Sequence, residues 1–155
     1  MDSIKPRVFI GSSTEGLAIA DAIQKNLEYY SYVDLWTQGI FEPSSTSLDD
    51  LIMALNQYDF AIFVFMPEDV VKMRLEEYAA VRDNVIFETG LFIGRNGKNR
   101  TFYIAPRGKK FRLPSDLAGF SAADYDDAHP NLNAALGPAC TAILAKMKRE
   151  GPIIR

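Results

Sequence analysis

Short, unbroken apolar runs alternate along this chain with longer stretches in which apolar residues recur every three or four positions. RVFIG (7–11) is apolar and ends on glycine; SSTEGLAIADAIQKNLEYY (12–30) then puts Ile19, Ile23, Leu27 and Tyr30 on one helical face. Strand then helix is the expectation, with Ser12 and Glu15 placed as a capping box for the helix start. VDLW (33–36) reads as a second strand, followed by a loop, TQGIFEPSST (37–46), and a helix, LDDLIMALNQ (48–57). Ser47 is the expected cap of that helix, and Asp49 and Asp50 in its first turn complement its dipole. DFAIFVFM (59–66) is apolar almost throughout, as in a strand covered on both faces. PEDVVKMRLEEYAA (67–80) reads as a polar, partly helical connection; VRDNVIFETGLFIGRNG (81–97) reads as a helix. A fourth strand, RTFYIAP (100–106), a loop (107–120), a fifth strand at 122–125 and a last helix over 133–150 complete the chain.

Alternating strands and helices, with strands of the doubly buried kind, predict an α/β fold. The expected architecture is a doubly wound, flavodoxin-like, five-stranded parallel sheet in the order 2-1-3-4-5 with helices on both faces. At 155 residues the chain suits one such domain. Composition agrees: 48% hydrophobic, 24% charged and a formal net charge of -3 allow a core without strong self-repulsion. Basic residues are scattered apart from short clusters at 107–112 and 146–149, so no nucleic-acid track is expected. The one cysteine, Cys140, lies in a helical pattern and reads as a buried thiol; the one histidine, His129, precedes a proline in DDAHPN. Neither supports a nucleophile–histidine pair, and no metal site is expected. With no signal-peptide pattern and no apolar run of bilayer-spanning length, a cytoplasmic protein is the expectation.

In an open sheet of this kind ligands bind beyond the carboxyl ends of the strands, where the strand order reverses. The segment GSSTEG (11–16), directly after the first strand, combines a glycine, two hydroxyls and a helix start with free amides, which are phosphate-binding parts and equally the parts of an ordinary strand-to-helix turn. Glu88 is the more unusual residue. At about 100° per residue it lies near Val81, Val85 and Phe92 on one side and near Asn84 and Arg95 on the other. Ile86, Phe87, Leu91 and Ile93 make the rest of the helix apolar nearly all round, so substantial burial is expected. A carboxylate in a partly dry cleft suits the stabilisation of positive charge at an oxocarbenium-like carbon; a structural carboxylate bonded to Arg95 is the competing reading. Burial would raise its pKa and Arg95, Arg82 or a bound cation would lower it, so the direction of the shift stays open. Trp36 closes the second strand, at an edge where an aromatic can stack on a base or nicotinamide ring or simply pack the core.

RVFIGSSTEG (7–16), WTQGIFEPS (36–44), DFAIFVFMPED (59–69), RDNVIFETGLFIGRNG (82–97) and LPSDLAG (113–119) together resemble the bacterial Toll/interleukin receptor-like (TIR-like) domains of nucleotide-sensing anti-phage effectors. The resemblance is collinear over nearly the whole chain; one departure is Asn96, where similar sequences carry leucine. It implies an NAD+ nucleosidase, with NAD+ as substrate and no cofactor. On that resemblance Glu88 takes the catalytic position, Gly11, Ser12 and Ser13 the loop bordering the nucleotide cleft, Trp36 the aromatic at its mouth, and Arg82 and Asn84 the start of the catalytic helix. It further implies activation by self-assembly and a fused or associated cyclic-nucleotide sensor, with residues 1–150 as the TIR-like domain and 151–155 as the start of a linker. Two other readings remain: glycosyl transfer of the nucleoside deoxyribosyltransferase type, which shares a layered fold and a glutamate aimed at a sugar carbon, and a non-catalytic assembly module.

Overall fold

The computed structural model of the chain describes residues 4–36, 47–67, 69–73, 75–81, 83–109, 111–117 and 122–155. Five parallel strands form the main sheet: β1 (Arg7–Gly11), β2 (Tyr32–Leu35), β3 (Phe60–Val64), β6 (Thr101–Pro106) and β8 (Ala122–Tyr125). Their order is β2-β1-β3-β6-β8, which is 2-1-3-4-5 among parallel strands, as the alternating pattern predicts. Strand periodicity divides the apolar residues between two faces. Val8, Ile10, Phe60, Ile62, Val64, Phe102 and Ile104 point to one layer, built with α1 (Leu17–Leu27) and α4 (Leu132–Glu150). Phe9, Ala61, Phe63 and Ala105 point to the other, built with α2 (Ser47–Leu55) and α3 (Asp83–Asn96). Continuous apolar runs such as FAIFV in β3 exist because both faces need covering, and all five of its residues are buried.

Gly11 has a packing reason to be glycine. A Cβ there would come within 2.6 Å of the Phe63 ring, so the end of β1 could not lie beside β3 with any larger residue. After it, residues Thr14–Gly16 form a 3-10 turn whose N-cap position is Ser13, with no cap hydrogen bond from its side chain, and α-helical geometry begins at Leu17. The capping box expected at Ser12 therefore gives way to a tighter turn. Ile19, Ile23 and Leu27 face the core as expected, whereas α1 stops at Leu27 and leaves Tyr30 45% exposed. Cys140 is buried with its thiol pushed up to about 12 by desolvation, as suits an inert core residue.

The segment expected as a partly helical connection is instead a hairpin. β4 (Asp69–Met73) and β5 (Glu76–Ala80) pair antiparallel, with Met73 opposite Glu76, and β5 pairs in parallel with β7 (Phe111–Arg112). Leu75 at the turn has φ of 69°, the left-handed conformation that a two-residue hairpin connection requires. Leu75 is not the usual Gly, Asn or Asp of such a turn, and the helix-forming Met, Arg, Leu and Glu residues of this stretch of sequence hide the strands from a reading of propensity.

At the sheet's amino edge the chain's final residues return to the start of β3. Asp59, 3% exposed, accepts the backbone N–H of Arg7 on Oδ2 at 2.8 Å and, on Oδ1, the N–H of Ile153 at 3.0 Å and the Arg155 guanidinium at 3.1 Å. Arg155 also donates to the carbonyls of Asn56 and Tyr58, both at 3.0 Å, and Arg100 to the carbonyl of Gly151 at 2.8 Å. Residues 151–155 are thus pinned across the sheet edge opposite the carboxyl ends of the strands. Replacing Asp59 with Ala orphans buried donors from two distant segments and should lower unfolding free energy by about 2–4 kcal/mol in urea titrations, with Asp59→Asn losing less. Unchanged stability would show that this junction contributes nothing.

Candidate functional site

Parallel strands place all their carboxyl ends on one edge, and the described residues among those singled out from the sequence lie toward it. Gly11 ends β1, Ser12 and Ser13 follow it, and Trp36 follows β2, its backbone N–H donating to the Ile10 carbonyl at 2.8 Å. Adjacent strands lie about 4.8 Å apart, so the β1 loop and Trp36 are immediate neighbours. Ser13 is buried, Ser12 half-buried, and Asn84 exposed in the first turn of α3. Arg82 lies outside the described residues, as does the loop 37–46 with Phe41.

Glu88 sits one turn after Asn84, on the flank of α3 beside the buried Val85 and Phe92. Beneath it an aromatic cluster fills the layer: Phe9 lies 5.4 Å from Trp36, 5.9 Å from Phe63 and 6.5 Å from Phe92, ring centre to ring centre. Rings offer an ionised carboxylate almost no solvation, and the charged form is penalised accordingly. Burial pushes the Glu88 carboxyl up from 4.5 to about 7, opposed by a hydrogen bond from the Trp36 side chain, whose indole N–H is its one donor. Oε2 of Glu88 is buried with no hydrogen-bond partner among the described residues. Such an atom in a native fold calls for an explanation, and a ligand group is one of the few available.

The sequence left Glu88 between a cleft and a guanidinium clamp. Arg95 is not the clamp: its Nε–H donates to Oδ1 of Asn56 at 2.9 Å, on the exposed side of α3. The substantial burial expected of α3 is found on one side, at Val85, Thr89 and Phe92, whereas Phe87 is 53% exposed and Asn84, Gly90, Gly94 and Arg95 are exposed with it. Phe87, Gly90, Gly94 and Arg95 line an apolar groove of about 550 Å³ together with Ile52 and Leu55 of α2. What the sequence did not suggest is that Trp36 would reach Glu88 through its nitrogen; the two are 52 positions apart, and no local spacing announces the pair. Among the described residues no three His, Cys, Asp or Glu side chains converge as metal ligands, and no helix is long and apolar enough to cross a membrane.

The family model described as "CAP12/Pycsar effector protein, TIR domain" matches residues 7–127, from the first residue of β1 to just beyond β8. The chain belongs to this family, the TIR domains of bacterial anti-phage effectors. Similar proteins include the Pycsar effector protein PaPycTIR of Pseudomonas aeruginosa, 45% identical over 148 residues, which cover 94% of this chain and 48% of that protein. CD-NTase-associated protein 12 of Flavobacterium daejeonense is 41% identical over 132 residues, covering 84% of this chain and 41% of that protein. The chain thus spans about half the length, or less, of these relatives. In fold it is similar to the flavodoxin-like domain of a Synechococcus protein, with a TM-score of 0.52 at 12% identity over 92% of this chain and 99% of that one. That likeness supports the doubly wound architecture alone.

A buried acid with a raised pKa leaves a thermodynamic signature. Because the folded pKa of Glu88 lies above its unfolded value, ionisation opposes folding: stability is fully retained below about pH 4.5 and is lost as pH rises toward 7. Glu88→Gln removes that loss. The stability of the variant relative to the parent should therefore increase between about pH 4.5 and pH 7 by roughly 1–3 kcal/mol and level off above. Paired denaturant titrations across that range check it; a difference independent of pH would mean that Glu88 is not desolvated.

Proposed function

We propose that this TIR domain is an NAD+ nucleosidase that breaks the bond between nicotinamide and ribose, with Glu88 as its catalytic carboxylate. The observation that carries the reading is the half-buried Glu88 at the carboxyl edge, desolvated by an aromatic cluster and with one buried oxygen unpartnered. NAD+ would lie across this edge, its pyrophosphate near Ser12 and Ser13 and its nicotinamide riboside over Glu88. The pyridinium ring carries the positive charge in the ground state. As the C1′–N bond breaks, its electron pair goes to nicotinamide, which leaves neutral, and the charge moves onto the ribose C1′ and ring oxygen. A fixed carboxylate in a dry site stabilises that charge strongly because little water screens it. The carboxylate would accept from a ribose hydroxyl and so hold the sugar while water adds to C1′ and gives up its proton. The products are nicotinamide, ADP-ribose and H+; no electrons are exchanged with a cofactor.

The family places such a domain in an anti-phage effector, and the name CD-NTase-associated protein 12 points to a nucleotide signal as the trigger. On this reading a sensor responding to a cyclic nucleotide drives copies of the domain together and NAD+ depletion follows. Ile52, Met53 and Phe87, exposed on α2 and α3, form an apolar face on which a second copy could pack.

Concentrated protein incubated with NAD+ should release nicotinamide and ADP-ribose in equal amounts, with a rate that rises more steeply than linearly with protein concentration. Glu88→Gln should lose about 10²-fold or more of that rate. For the parent, kcat/KM should rise about tenfold per pH unit below about 7 and level off above, since the free enzyme must ionise Glu88. Undiminished cleavage by the Gln variant, or deoxynucleosides cleaved while NAD+ stays intact, would refute the proposal.

A further inference from the structure

The helix that carries Glu88 and the last residues of the chain are tied to the same short turn, residues 56–59 between α2 and β3. From α3, the Nε–H of Arg95 donates to Oδ1 of Asn56 at 2.9 Å, and Nδ2 of Asn96 donates to the Tyr58 carbonyl at 3.1 Å. From the other side, Arg155 donates through Nε to the Asn56 carbonyl and through Nη2 to the Tyr58 carbonyl, both at 3.0 Å. Its Nη1 donates to Oδ1 of Asp59 at 3.1 Å. The Tyr58 carbonyl is therefore shared, one lone pair serving α3 and the other Arg155. Inside, the Tyr58 ring, 5% exposed, meets Phe9 edge-on at 5.4 Å, and Phe9 lies 6.5 Å from Phe92 of α3. Hydrogen bonds at the surface and rings in the core both lead from this turn to the same helix.

We propose that Arg155 is a positioning residue for Glu88, holding the turn 56–59 in the arrangement that seats the carboxyl-terminal end of α3. The inference rests on the nucleosidase reading for its effect on catalysis and on these contacts for its effect on the helix. An α-helix is stiff along its axis, and Glu88 lies about 12 Å from Asn96 along it, so a slip at that end is carried to the carboxylate. The planar fork of arginine reaches the two carbonyls and the carboxylate at once, which the single ammonium of lysine does far less well. Asn96 completes the bracket from the helix side with a bond that an apolar side chain of similar size cannot make. Anything that displaces residues 151–155 acts on α3 through the same bonds.

The test loosens each side of the bracket separately. Arg155→Ala removes three donors, while the Ile153 N–H on Asp59 and Arg100 on the Gly151 carbonyl still hold the tail, so the fold persists. Asn96→Leu, nearly equal in volume, removes only the bond from α3. Amide hydrogen exchange of the full chain, read residue by residue by NMR, is set beside NAD+ cleavage. Arg155→Ala should speed exchange in the last two turns of α3 about tenfold and leave β6 and β8 unchanged. Its kcat should fall about tenfold with KM little changed, as a displaced catalytic group requires, and Arg155→Lys should restore only part of either loss. Because both side chains act on the Tyr58 carbonyl, the double variant should exchange within about twofold of the faster single one. Unchanged exchange in α3 with Arg155→Ala, or acceleration spread equally over every element as a loss of global stability demands, would overturn the proposal. So would effects of the two substitutions that simply multiply, or faster exchange in α3 with kcat intact. Exchange is read without turnover, so coupled exchange in a parent that leaves NAD+ whole would strike the nucleosidase reading, whereas uncoupled exchange strikes the clamp.

Discussion

The arrangement at the carboxyl edge turns on one electrostatic imbalance. A carboxylate has been desolvated by burial and, among the described residues, given one neutral hydrogen bond where water would supply several. The fold bears that cost because the rest of α3 is anchored: Val85, Thr89 and Phe92 are buried against the sheet, with Thr89 Oγ1 bonded to the Val85 carbonyl at 2.7 Å. A helix held that firmly can keep one unfavourable group on its flank. In the proposed chemistry the missing compensation arrives with a cationic substrate and is greatest when the positive charge passes to the sugar. Strain in the empty site and stabilisation in the occupied one are then the same interaction seen at two stages.

The two ends of the strands carry opposite kinds of polar chemistry. At the amino edge the buried Asp59 is fully engaged, by the backbone of Arg7 and Ile153 and by the Arg155 guanidinium, and it welds β1, β3 and the final residues together. At the carboxyl edge Glu88 has no cation from Arg95, which turns outward to Asn56 instead. Both are acidic side chains shielded from water, but among the described residues one is saturated with donors and the other is left short. That contrast separates a structural carboxylate from a candidate catalytic one more clearly than burial alone.

How much of this could be read in the sequence follows from the range of the interactions. Strand and helix alternation is written in local periodicity, so the parallel order 2-1-3-4-5 and the placing of Gly11, Ser12, Ser13 and Trp36 on one edge were legible. Glu88 was legible as an oddity because the helical repeat sets it between Val85 and Phe92 on one flank and Asn84 on the other. Its partner was not: Arg95 shares the helix and looked available, whereas Trp36 lies just beyond β2, and only tertiary packing brings it near. The β4–β5 hairpin escaped because Leu75 occupies a left-handed turn position without the residue types that advertise one, and the strands are rich in helix formers. The pinning of residues 151–155 depends on Asp59, some 90 positions earlier, and the short GPIIR tail carries no local mark of such a contact.

If Glu88 is an uncompensated carboxylate that a cationic substrate completes, binding must change its ionisation. At pH 7 about half of it is protonated in the free protein, and NAD+ would drive it to the charged form. Calorimetric titration with a non-cleavable carbocyclic NAD+ analogue, in two buffers of different ionisation enthalpy, measures that directly. The account predicts release of up to about half a proton per bound ligand at pH 7 in the parent and none in Glu88→Gln. Equal proton exchange by the two proteins, or proton uptake by the parent, would contradict it.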